Sequence, residues 1–258
     1  MNCSEIIREI EKIFPPSSAE EWDNPGLLAG RRDREVTRML VALDASDTVI
    51  DEAVRWGAQL LITHHPMIFS PLKKVNDDSF TGERVIRLIE NGISCYAMHT
   101  NYDVCGMADL NARQLELTDV RILALTGEEE GIGRVGRLKN PMKLSDLARK
   151  VRSVFELDDV RVYAQADPVV STAAVCGGSG KSLLPDALSS GADVFITGDI
   201  DYHTGLDAAA QGIILIDAGH FGTEHRFMDD CTERFTRMFP EVEIKKAAQP
   251  KPYKLITD

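Results

Sequence analysis

Two adjacent histidines, His64 and His65, close the apolar run Leu60, Leu61, Ile62 within LLITHHPMIF. The run reads as a buried strand, so both imidazoles fall where strand gives way to loop. Open α/β sheets place their chemistry in that position, beyond the carboxyl ends of the strands. Two imidazoles there suit a metal, although an isolated His-His pair serves equally as a hydrogen-bonded pair at a helix entrance. Further polar groups follow strands of the same kind. Strand 93–98 leads to His99 and Asp103, strand 193–197 to Asp199, Asp201, Tyr202 and His203, and strand 213–216 to His220 and Glu224. His220 and Glu224 are four apart at the start of a helix read to about Phe239, so both side chains can share one face.

His64, His65, Asp103, His220 and Glu224 together offer three imidazoles and two carboxylates. That exceeds the need of one catalytic tetrahedral site and suits two metals sharing a carboxylate bridge. Nitrogen and oxygen donors without thiolate favour zinc, iron, manganese or cobalt. Taken singly, each residue has an ordinary role: His220 and Glu224 as a surface helix pair, Asp103 as a turn residue. Their shared placement at strand ends selects the metal. His99, His203, Asp199 and Tyr202 are candidates for proton transfer or for contacts around the ligands, with His99 or His203 the candidate general acid. Asp201 serves equally as the cap of the next helix. Glu21, Trp22 and Asn24 are assigned to the same cavity, Trp22 chiefly as a core residue.

The elements that position these groups repeat. VTRMLVALD (36–44) aligns with VSTAAVCGG (170–178), and RWGAQLLIT (55–63) with SSGADVFIT (189–197), both at an offset of 134. NGI at 91–93 matches QGI at 211–213, an offset of 120, so the first half carries 14 extra residues after its histidines. Helices between the strands make each half β-α-β-α-β, the pattern of parallel sheets. The fold class is therefore α/β, duplicated, with mainly parallel strands. The halves are 1–125 and 170–258, with a small α/β insertion at 126–169: a strand at 133–138, a helix at 145–155 and a strand at 160–164.

Composition bounds the function. The chain has 258 residues, 43% hydrophobic and 27% charged, as ordinary globular proteins do. Lys plus Arg number 29 against 41 Asp plus Glu, and the net charge of −12 repels a nucleic-acid backbone. No stretch approaches the roughly 20 apolar residues of a membrane helix. MNCSEIIREIEKIF reads as an amphipathic helix rather than a signal peptide, and the five cysteines lack a CxxC pair. A reducing cytoplasm is the expected compartment. GGSGKS at 177–182 lacks the leading glycine of a P-loop, since position 175 is valine. Its backbone N–H groups remain available in principle to a substrate phosphate.

HHPMIF, MHTNYDV at 98–104, ITGDIDYH at 196–203 and DAGHFGTEH at 217–225, with EWDNPGL at 21–27, resemble the Nif-three-like family, also described as GTP cyclohydrolase 1 type 2 homologs. The resemblance spans nearly the whole chain and implies a Nif-three-like fold in its compact form. It implies a dinuclear centre whose ligands map onto His64, His65, Asp103, His220 and Glu224, and a homohexameric ring with sites facing an inner cavity. Contacts between subunits are expected from the 126–169 segment or the helix at 222–239. Tyr102 stands where leucine is more usual. The activity implied is that of a GTP cyclohydrolase 1 type 2-like metal-dependent hydrolase, with the purine ring of GTP as the candidate substrate and a nucleotide or phosphate-bearing small molecule as the expected partner. A phosphoesterase and a non-enzymatic metal-handling or interaction protein are the alternatives.

Overall fold

The computed structural model describes residues 1–256, so the last two positions of the expected second half lie outside the described residues. In chain order the first elements are α1 (Cys3–Glu11), β1 (Gly26–Ala29), β2 (Arg38–Ala42), α2 (Asp47–Trp56), β3 (Leu60–Thr63), α3 (Phe80–Glu90), β4 (Ser94–Ala97) and α4 (Thr100–Tyr102). A π-helical turn, Asp103–Met107, leads into α5 (Ala108–Gln114), β5 (Leu117–Leu125), β6 (Gly131–Lys143), α6 (Leu144–Val154) and β7 (Arg161–Tyr163). Then come β8 (Val169–Ser179), α7 (Leu184–Ser190), β9 (Val194–Gly198), α8 (Tyr202–Ala210), β10 (Ile214–Asp217), α9 (His220–Glu224), α10 (Arg226–Met238) and β11 (Glu243–Lys246).

One compact unit comprises Met1–Tyr102 and Arg226–Pro252. Its sheet runs β1-β4-β3-β2-β11, with all pairings parallel except β1 on β4. Every residue of β3 and β4 is buried, as strands covered on both faces require. Ser46 caps α2 by accepting from the Val49 N–H, and Gly57 ends it at φ 71°. Ile6, Ile7 and Ile10 form the buried stripe of α1, each stabilising the fold by about 1.5–3 kcal/mol. The apolar face of α10 (Phe227, Met228, Cys231, Phe235) is buried as well.

The second unit comprises Asp103–His225 and the described tail from Tyr253. Its sheet runs β5-β6-β8-β9-β10-β7. β8, β9 and β10 are parallel, and β7 lies antiparallel on β10 as β1 does on β4. The repeat thus includes the antiparallel edge strand before each parallel trio. β5 and β6 extend the sheet antiparallel from β8. Leu144, Leu147 and Val151 of α6 share one core with Val175, Val194 and Ile216. Compactness therefore divides the chain differently from the linear order 1–125, 126–169, 170–258, because 131–163 supplies strands and core to the second sheet. The helix read through 222–239 is also interrupted at His225, whose Nδ1 faces the Phe221 and Gly222 carbonyls at 3.1 Å. No helix of the described residues is long and apolar enough to cross a membrane.

Candidate metal centre

In the first unit, β3 leads into His64 and His65. The His64 ring is buried and its Nδ1 lies 2.8 Å from the Met98 carbonyl oxygen. A carbonyl only accepts, so Nδ1 carries the proton and, in the neutral ring, Nε2 carries the lone pair. His65 Nδ1 donates to Asp44 Oδ1 at 2.8 Å, and Gln249 Nε2 holds the other Asp44 oxygen at 2.7 Å. His99 Nδ1 donates to Asp23 Oδ1 at 2.7 Å, while Asp23 Oδ2 accepts from Thr100 N (3.0 Å) and Oγ1 (2.6 Å). Burial pushes the Asp23 carboxyl up, but the hydrogen bonds from His99 and Thr100 outweigh it and hold the group at about 2. Ring nitrogens of His64, His65 and His99 lie within 4.8 Å of one another. Phe227 backs the His64 ring at 5.1 Å and packs edge-on against Tyr102 at 4.8 Å. Tyr102 is itself wholly buried, its hydroxyl donating to Asp230 at 2.8 Å, so its place is in the packing behind the imidazole.

In the second unit, β10 ends in Asp217, whose Oδ1 accepts from Gly219 N at 2.9 Å. Arg161 anchors the other oxygen at 2.6 Å. Gly219 turns at φ 71° and opens α9, which places His220 and Glu224 on one face with Nε2 and Oε2 3.0 Å apart. His220 Nδ1 donates to Asp199 Oδ2 at 2.7 Å, and Asp199, at the end of β9, has the left-handed φ of 55°. Glu224 is buried, and one of its oxygens lies within 4.8 Å of an Asp103 oxygen from the π-helical turn. Such turns recur at functional sites because the extra residue re-aims a side chain. Burial, reinforced by the Asp103 and Glu224 carboxylates, pushes the neighbouring Cys176 thiol far up, so it remains protonated. A Cβ on Gly178 would sit 2.3 Å from Glu224 Oε1, and Gly178 N donates to Thr223 Oγ1 at 2.9 Å. Gly180 N is likewise taken, by Thr197 Oγ1 at 2.9 Å, so these two N–H groups of GGSGKS pack the end of β8 rather than face a phosphate.

Four imidazoles thus share one arrangement: Nδ1 is tied to an oxygen acceptor, which in the neutral ring puts the lone pair on Nε2. Metal-ligating histidines are oriented in this way, which fixes the tautomer and raises basicity. With carboxylate oxygens and without ionised thiols, the residues fit a borderline divalent cation such as zinc, iron, manganese or cobalt. Among the candidates around the ligands, Asp199 is a partner of His220 and His99 joins the first unit's cluster. Tyr202 and His203 carry exposed side chains at the start of α8, their rings 5.3 Å apart. Asp201 caps α8, accepting from Thr204 N at 3.0 Å. Trp22 is 59% exposed, against the expectation of a core residue, because Asp23 and Asn24 beside it hold the segment by polar bonds rather than by burying the ring. Asp23 and Asp44 escaped the sequence reading. Asp44 follows β2, the strand-end position already used for the histidines, whereas Asp23 lies in the loop ahead of β1 and had no such signal.

Oriented imidazoles and buried carboxylates at the strand ends of a two-sheet α/β protein make candidate metal-ligand groups. The chain belongs to the Duf34/NIF3 (NGG1p interacting factor 3) family, whose model matches residues 1–252. It is 39% identical to a GTP cyclohydrolase 1 type 2 homolog of Streptococcus pneumoniae, covering 86% of this chain and 85% of that one. A homolog of the same description from Clostridium perfringens is 34% identical over 97% and 98% of the two chains. Among solved structures, a Bacillus cereus protein related to NIF3 superposes with a TM-score of 0.94 at 25% identity, covering 99% of both chains. Reduced HcgD from Methanocaldococcus jannaschii gives 0.84 at 29%, covering 96% and 98%.

Proposed function

We propose that the chain binds two divalent metal ions through His64, His65, Asp103, His220 and Glu224, and uses them to hydrolyse a nucleotide-like substrate. The observation that carries this reading is the shared tethering of His64, His65 and His220 through Nδ1, to the Met98 carbonyl, Asp44 and Asp199. When bound, such ions supply Lewis acidity and bring the ionisation of water near neutral pH. The chain's own part is orientation and proton control. Asp44 and Asp199 keep His65 and His220 in the Nδ1–H tautomer, and Asp23 does the same for His99. The names of the relatives support GTP as the first substrate to try.

The test is to purify the full chain without chelator, measure metal per chain, and assay the metallated protein on GTP and on phosphoesters. Metal with GTP turnover supports the reading, and turnover of phosphoesters alone selects the phosphoesterase. A second reading, a non-enzymatic metal-handling protein, is favoured by the exposure of Tyr202 and His203, since neither is held where a proton donor would be shielded from water. His203→Ala separates the two. It is expected to spare metal content and lower turnover roughly 10²-fold if His203 transfers a proton. Unchanged turnover removes His203 from catalysis.

A further inference from the structure

Trp22 and Phe69 are 59% and 52% exposed, yet their rings meet at 6.0 Å, and Trp22 also sits edge-on to His99 at 5.9 Å. Both are anchored by polar bonds at their backs. Asn24 Nδ2 donates to the Ile68 carbonyl at 2.6 Å, joining the two segments, and Asp23 binds His99 and Thr100. Two large rings are thus held open to solvent beside an imidazole cluster. Exposed aromatic rings of this kind are stacking platforms for flat heteroaromatic ligands.

The internal repeat sharpens the point. Residues 64–79 join β3 to α3, whereas the equivalent connection between β9 and α8 is only 199–201. The additional chain in the first half carries Phe69, Lys73 and Lys74, and both lysines are exposed in a chain of net charge −12. Four residues of chain reach at most roughly 14 Å, which accommodates a base at one end and a phosphate at the other. The segment is pinned at its far end too, where Gly82 packs so closely on Asn76 that a Cβ would lie 2.2 Å from the Asn76 carbonyl oxygen.

We propose that Trp22 and Phe69 stack the base of a nucleotide substrate beside the histidine cluster, and that Lys73 and Lys74 receive its phosphate. This rests on the metal-site reading for what happens to the substrate, but its test is separate. Calorimetric titration of the metallated full chain uses guanosine monophosphate, guanosine and ribose 5-phosphate as probes, with metal content and oligomer mass measured on each variant. Trp22→Ala is expected to weaken guanosine monophosphate and guanosine about tenfold or more, with metal content unchanged, and Trp22→Phe to recover most of it. Lys73→Glu combined with Lys74→Glu is expected to weaken guanosine monophosphate and spare guanosine. Wild-type affinity in Trp22→Ala, no binding of guanosine monophosphate at millimolar concentration, or equal binding of ribose 5-phosphate overturns the proposal. So does a changed oligomer mass in Trp22→Ala with unaltered nucleotide affinity, which would make the ring pair a subunit contact. Failure of the metal reading shows separately, as wild-type chain without metal.

Discussion

Asp44 and Asp199 illustrate how single residues set the chemistry here. Neither is among the proposed ligands, but each fixes the tautomer and direction of one that is. Asp44→Ala and Asp199→Ala are each expected to lower metal affinity by about 10- to 100-fold, measured by competition with a chromophoric chelator, while thermal unfolding of the metal-free chain changes little. Equal metal affinity in both variants would leave the tethering without a role. Glu224→Gln acts on the ligand itself. An amide lacks the second anionic oxygen that a bridge uses, so both metals should weaken together in the same titration.

Elements place these residues through close packing and buried polar knots. Gly178, at φ 61°, lets β8 run against the Glu224 carboxylate, where any Cβ would lie 2.3 Å from Oε1. Gly178→Ala is expected to displace Glu224 and cut metal content while β8 remains folded, a change readable by elemental analysis beside far-UV circular dichroism. Asp193 ties the starts of β8 and β9, accepting from the N–H and hydroxyl of both Ser171 and Thr172 at 2.7–3.0 Å. Burial pushes its carboxyl up, but those four bonds prevail and lower it below the usual carboxylate value. Its stabilisation is therefore full above the unfolded value of about 3.8 and is lost as pH falls below that through the depressed folded value. Asp193→Ala should cost about 2 kcal/mol at neutral pH, with the difference from wild type shrinking in acid, as urea unfolding across pH would show. The parallel strands and the strand-end histidines were legible in the sequence because buried strands read as apolar runs and because the repeat located their ends twice. β5 was not, since Glu116 and Asp119 at φ 56° and 51° break its alternation near the start. Nor was the break before α10, because 220–238 keeps a helical pattern on both sides of His225. Asp23 and Asp44 were hidden for a different reason: hydrogen-bonding partners far apart in sequence leave no periodicity to read.

At the scale of the whole molecule, assembly and stoichiometry are the open consequences. The family resemblance leads us to propose a homohexamer. With the apolar face of α10 buried, exposed residues such as Leu125 (67%) and Val169 (67%) are the candidates for apolar contacts between copies. Light scattering at micromolar concentration should give about six chain masses, and a monomer mass would remove the proposal. The central claim, however, is that five residues drawn from three strand ends make a two-metal centre. Its most direct measurement is elemental analysis of the wild-type chain, purified without chelator and saturated with zinc, iron, manganese or cobalt. Two ions per chain, falling together in Glu224→Gln, is the expected result; saturation at one ion or fewer would contradict it.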